Sequence, residues 1–266
     1  MRRLVAAAWL AAVIVAVSCN QPDSNPKDVI SLAVDTAPAP SIVAGDTMRI
    51  GDSTALGTLQ AHAYNIKQES LHVPILWLTL DPAIVTTDTF GHVFAATDSV
   101  PSSPRIVAEA GGLQSLPFNI NVVPRPDSLV GDTTDTVQNL NFCTGLPLST
   151  GFDANLFSRT DTTPTPVGSY LIHWAVTSPA SLVGKQTGTI ADTGLIAYVA
   201  DGSGNPSILD TTKSGISTRV LIFGTKAVAK HDTTFSVTVQ ATARYQGRQL
   251  HNPVPVTITF RNPSKC

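Results

Sequence analysis

Apolar residues fall on every second position in several stretches of this chain. In "FNINVV", Phe118, Ile120 and Val122 lie on one face and Asn119 and Asn121 on the other. "FSVTVQATARY" sets Phe235, Val237, Val239, Ala241, Ala243 and Tyr245 against Ser236, Thr238, Gln240, Thr242 and Arg244. "VPVTITF" repeats the alternation with Val254, Val256, Ile258 and Phe260. A strict period of two is the pattern of a strand with one buried face. No convincing amphipathic helix follows the N-terminal apolar run, and 18 Gly and 19 Pro punctuate the alternating segments. The expected class is all-β.

Two of the alternating segments carry a tryptophan and resemble each other. From Trp77 the chain reads W-L-T-L-D-P-A-I-V and from Trp174 W-A-V-T-S-P-A-S-L-V, so Pro82 and Pro179 occupy the same place, as do Ala83 and Ala180. Both segments then reach an acidic, Thr-containing turn with a Gly, "DTFGHVFA" and "DTGLIAYVA". Two related units are the simplest explanation. Trp77 shares its face with Ile75, with Thr79 between solvent and core, and Trp174 shares its face with Ile172 and Val176, opposite Leu171, His173 and Ala175. The following Pro cannot donate to a ladder and marks the end of the strand. The expected role of Trp77 and Trp174 is to fill the core between two sheets. The units are placed at residues 28–124 and 131–266, with 125–130 between them. "VPRPDSLV", Val123 to Val130, is a proline-stiffened join that would hold the units end to end.

"VAGDTMRI" (Val43 to Ile50), the Trp-to-Pro segment, the "TDTFGHVFA" turn and the closing "FNINVV" resemble the bacterial immunoglobulin-like domains of group 2, which occur as tandem modules in surface adhesins such as the intimins and invasins. The likeness covers 28–124 well. It is looser in the second unit, which has long additional stretches at 144–168 and 200–217. The resemblance implies two tandem immunoglobulin-like β-sandwich domains that act as a stalk or binding module, with no shared catalytic residues.

The N-terminus adds an address. "MRRLVAAAWLAAVIVAVSC" has two arginines, an apolar run from Leu4 to Val17, and small residues before Cys19. The run is shorter than the about 20 residues that a helix needs to cross a bilayer, so it reads as a signal peptide, residues 1–18, absent from the mature fold. "AVSC" resembles the lipobox of bacterial lipoproteins, with Ala16 where Leu is usual. That likeness implies lipidation of Cys19, a membrane partner through the lipid anchor, and a polar tether at 19–27. Asn20 lacks the Asp that commonly signals inner-membrane retention, which points to the outer membrane or cell surface. With Cys19 consumed, Cys143 and Cys266 remain as an even pair in an oxidising compartment. In immunoglobulin-like sandwiches the first and last strands can run parallel and adjacent, and a disulfide between these two cysteines is expected.

Composition narrows the function classes. Charged residues are 14%, against about 25% in average soluble proteins. The formal net charge is -2 and no basic stripe appears, so no nucleic-acid partner is expected. "GDS" at Gly51 to Ser53 resembles the nucleophile motif of one esterase family, but the helices and the late D-x-x-H of that family are missing. The 6 histidines show no metal-ligand spacing. Asp201, Ser203 and Asn205 alternate like the start of a calcium loop, yet the Gly at position six and the acidic residue at position twelve are missing, so "DGSGNPSILD" reads as a turn. No catalytic residue, metal or cofactor is expected. Two classes remain. A structural or adhesive lipoprotein would present loops to a protein partner. A carbohydrate- or small-ligand-binding accessory lipoprotein would expose aromatic rings, for which only Phe152, Phe157 and Tyr170 lie in an irregular stretch. The scarcity of exposed aromatics favours the first.

Overall fold

The alternating segments become strands with the predicted faces buried. In the computed structural model residue 25 and residues 27–97, 100–131, 136–139, 148–159, 163–185, 187–189, 195–225, 234–250 and 253–261 are described. Among them there is no helix. The first half holds β1 (Ser31–Val34), β2 (Ser41–Val43), β3 (Ala61–Tyr64), β4 (Ser70–Leu71), β5 (Leu76–Thr79), β6 (Val85–Thr87), β7 (Val93–Ala95), β8 (Arg105–Ala110), β9 (Leu113–Gln114), β10 (Phe118–Asn119) and β11 (Asn121–Val123). The second holds β12 (Ser128–Gly131), β13 (Thr136–Asn139), β14 (Leu148–Ser158), β15 (Thr165–Pro166), β16 (Leu171–Ser178), β17 (Gly188–Thr189), β18 (Leu195–Ala200), β19 (Leu209–Thr211), β20 (Ile216–Thr225), β21 (Thr234–Thr242), β22 (Arg244–Tyr245), β23 (Arg248–Gln249) and β24 (Val254–Arg261).

The strands form two tandem sandwiches. In the first, β1-β3-β4 lies opposite β10-β8-β5, β2 runs parallel to β11, and β6 pairs with β7. In the second, β12-β14-β20-β18-β17 packs on β13-β24-β21-β16-β19. Among the described residues no ladder joins the two halves. β13 and β24, the first and last strands of the five-stranded sheet, run parallel with Thr136 opposite Ile258 and Asn139 opposite Arg261.

Trp77 and Trp174 are core residues, at 5% and 1% exposure. Trp77 meets Phe118 edge to face at 6.2 Å. Trp174 meets Phe152 at 4.9 Å, and its indole N–H donates to Ser217 Oγ at 2.9 Å. That hydroxyl donates in turn to Asp210 Oδ2 at 2.7 Å, and Asp210 pairs with Arg219 at 2.9 Å. A polar thread thus crosses between the sheets, from β16 to β20 and β19, and gives the buried indole its hydrogen bond.

Two expectations change. The 144–168 stretch, expected to be irregular, contains the 11-residue β14, paired with β12 on one side and β20 on the other. Its inward residues Phe152, Ala154, Leu156 and Ser158 do alternate, but Gly, Asp and Asn between them dilute the strand signal. The join is also shorter than 125–130, since Ser128 to Gly131 already pair with β14 and bury Leu129 in the second core.

Candidate functional site

The most elaborate constellation of side chains lies where the sandwiches meet, and it is built from two hairpins. The first spans Met48 to Gly57. Met48 is buried in the first core and its N–H donates to Val93 O at 2.8 Å, while Gly57 N–H returns to Met48 O at 2.9 Å. Arg49 stiffens it, donating to Thr54 O at 2.8 Å and to both oxygens of Asp46 at 3.0 and 3.1 Å. The second hairpin joins β22 to β23 through Gln246 and Gly247, whose φ values of 51° and 73° suit a tight two-residue turn that follows strand twist.

The hairpin tips dock. Asp52 Oδ2 lies 2.8 Å from His173 Nε2 on β16, and Asp52 O accepts the Gly247 N–H at 2.8 Å. Asp46 Oδ2 accepts from Tyr245 Oη at 3.2 Å and from Gln246 Nε2 at 3.0 Å. Asn121 Nδ2 donates to Ser169 Oγ at 3.1 Å, and the Arg125 guanidinium sits 5.1 Å above the Tyr245 ring. Burial alone would push the Asp52 carboxyl up, but the hydrogen bond and charge of His173 outweigh it and hold the group below the usual carboxylate range. Asp46 follows the same logic: burial opposes ionisation, and the hydrogen bonds from Arg49 and Gln246 overcome it. Burial, then the negative charge of Asp52, pushes the Tyr170 hydroxyl up, so it stays a neutral donor to Arg244 O at 2.7 Å. Apolar contact reinforces the dock, because Val43 and Val123 of the first sandwich pack into the core of the second.

Beside the dock is an open cleft of about 580 Å³. Its walls are Val34, the Asp35–Pro40 segment, Phe118, Asn119, Leu171 and Thr211, so both sandwiches contribute.

The sequence-predicted positions fare differently. Cys19, Cys143 and Cys266 lie outside the described residues, as do His231 and His251. Asp201 spends its Oδ1 on the N–H groups of Ser203 and Asn205, both at 2.9 Å, as a turn does. Among the described residues no group of three or more His, Cys, Asp or Glu converges as a metal site. An aromatic platform is not formed by Phe152 and Tyr170, which are 6% and 7% exposed, and Phe157 is half-buried in β14. Of the docking residues, Asp52 lies in "GDS" and Tyr245 ends an alternating segment, while Asp46, His173 and Gln246 carry no local sequence signal. In the structure "GDS" is a polar hairpin tip with Gly51 at φ 58°.

No family model and no curated protein matches this chain. Solved structures similar to it include domains 4–9 of the surface layer protein SbsC, at 14% identity over 89% of this chain and 31% of that one, TM-score 0.31. The Yersinia pseudotuberculosis adhesin InvE is similar at 15% identity over 86% of this chain and 58% of the other, TM-score 0.32. The D00-D0 domain of intimin is similar at 12% identity over 85% and 99%, TM-score 0.25. The chain thus spans about a third of the SbsC structure and somewhat over half of InvE. At such identities and scores no function is transferred from them.

Proposed function

We propose that this chain is a non-catalytic cell-envelope lipoprotein whose two immunoglobulin-like sandwiches form a stiff spacer, anchored through Cys19 and presenting its surface to a protein partner. The observation that carries the reading is the dock between the hairpins at Gly51–Thr54 and Arg244–Gln249. A flexible tandem has no need of an Asp–His hydrogen bond, a backbone hydrogen bond and shared apolar packing across its join, whereas a spacer that transmits position or force does. The burial of Phe152 and Tyr170 counts against the glycan-platform alternative.

Anchoring supports the same role. Lipoprotein acylation supplies two or more chains, enough for stable membrane attachment where a single chain is marginal. The tether 19–27 would lift the first sandwich off the bilayer, on the outer membrane or cell surface. Two measurements test the proposal. Metabolic labelling with a fatty-acid probe should mark the wild type and not Cys19→Ser. Spin-label distances between the two sandwiches of the chain from Asn20 onward should give one narrow distribution, which Asp52→Ala combined with Gln246→Ala broadens. A broad distribution in the wild type would contradict the spacer role.

A further inference from the structure

The cleft beside the dock contains an open strand edge. The residues of β10 and β11 form one run that pairs with the segment Ser102–Ile106 throughout: Ile120 N–H donates to Pro104 O at 3.0 Å, Val122 and Ser102 exchange hydrogen bonds, and Phe118 lies opposite Ile106. Alternate residues of an antiparallel pair bond inward, so the N–H and C=O groups of Asn119, Asn121 and Val123 face the other way. At Asn121 and Val123 that side is taken by β2, with Ala44 N–H on Val123 O at 2.9 Å. One step further the ladder stops at Asn119. In the β2 register, residue 40 would donate to the Asn119 carbonyl and residue 38 would accept from its N–H. Residue 40 is a proline with no N–H to give, and the carbonyl of Pro38 already accepts from Gly51 N–H at 2.9 Å.

The opposite wall is an edge too. Among the described residues β1 pairs with β3 alone, and because Asp35 N–H bonds Gln60 O, the peptide groups of Val34 and Thr36 point away from β3. The space between has the volume of a ligand site and apolar walls in Val34, Ala37, Phe118 and Leu171. Its one titratable lining residue, Asp35, is engaged by His62 Nε2 at 3.2 Å.

We infer that this cleft accepts an extended, uncharged peptide segment of a partner protein, which adds as a short strand beside Asn119. Main-chain hydrogen bonds to the open edge supply the common attraction, and the apolar walls select small apolar side chains at alternate positions. The inference rests on the reading of the chain as a partner-binding spacer and names the form of partner it takes. Because Leu171 and Thr211 complete the cleft, it is whole only while the sandwiches stay docked.

The test is a display selection of random eight-residue peptides on the chain from Asn20 onward, followed by calorimetric titration of the enriched synthetic peptides. Enriched sequences should share uncharged stretches with small apolar residues at alternate positions. Asn119→Pro removes the open N–H at an edge position that tolerates proline, and Thr36→Trp fills the cleft from an exposed site. Each should weaken binding at least tenfold with the melting temperature unchanged. If Asn119→Pro fails to fold, Thr36→Trp decides. Absence of enrichment, or equal affinity for the variants, overturns the inference while the interdomain distance measurement still stands. Retained peptide binding by a protein with a broad distance distribution would overturn the spacer reading and the part given to Leu171 and Thr211, and leave only the open edge at Asn119.

Discussion

At the scale of single residues, Trp174 shows what a buried indole does that another aromatic would not. Its ring fills the second core, and its N–H holds Ser217, which holds Asp210 against Arg219. Trp174→Ala should cost about 3–5 kcal/mol, the range for large core aromatics. Trp174→Phe keeps most of the volume but leaves a buried hydroxyl short of a partner, for about 1–3 kcal/mol. Urea denaturation of both variants separates packing from hydrogen bonding, and a Trp174→Phe protein as stable as the wild type would deny the polar thread any weight. Gly91 is a second such residue. Its φ is 84°, and a methyl there would stand 2.8 Å from Leu59 O and 2.9 Å from Trp77 Nε1. Gly91→Ala should therefore lose more than about 1 kcal/mol, combining left-handed strain with displacement of Trp77. A melt shift of less than a degree would contradict that. Both sites were legible in sequence, since a lone Trp in an alternating segment and a Gly closing the turn behind it are local signals. Ser217 and Asp210 were not, because their meaning depends on which strands face each other across the core.

At the scale of elements, regular alternation made β21 and β24 plain, and polar interruptions hid β14. The docking hairpin from Met48 to Gly57 was hidden for another reason: its residues are ordinary turn formers, and only the approach of β16 and the Gln246–Gly247 turn gives Asp52 a partner. Its electrostatics have a definite sign. The folded-state carboxyl of Asp52 lies below its ordinary value of 3.8, as does that of Asp46. The ionised forms therefore stabilise the docked state above about pH 4, and that contribution is lost as pH falls through the lowered values. Asp52→Asn removes the charge and keeps the shape, so it should be less stable than the wild type at pH 7 and converge with it near pH 2. Thermal melts across that range check the sign, and a difference that stays constant with pH would exclude the carboxylate as its source. The Asp210–Arg219 pair is more deeply placed, with side chains 17% and 9% exposed. Removing one partner leaves a buried charge unmet, and Asp210→Ala should cost about 3–5 kcal/mol in the second sandwich.

At the scale of the whole molecule, the repeat in the sequence points to two related units, but a repeat carries no information about how they touch. That depended on Asp46, Asp52 and the second-sandwich hairpin, far apart in the chain. The parallel pairing of β13 with β24 bears on the expected Cys143–Cys266 bridge, because Cys143 follows Asn139 and Cys266 follows Arg261 at short and nearly equal intervals. Closing so long a loop stabilises by about 4–5 kcal/mol in the chain-entropy model. Peptide mapping without reduction should find the two joined, and both thiols alkylated would exclude the bridge. Coupling between the sandwiches is the remaining consequence. Val43 and Val123 lie in the second core, so melting the first sandwich withdraws apolar contacts from the second as well as the Asp52–His173 pair. Full-length protein should then unfold in one calorimetric transition, with the van't Hoff and calorimetric enthalpies in agreement. Asp52→Ala with Gln246→Ala leaves each core intact and weakens only the dock, so it should split the transition in two. Two separate transitions in the wild type would mean that the dock orients the sandwiches without linking their stabilities.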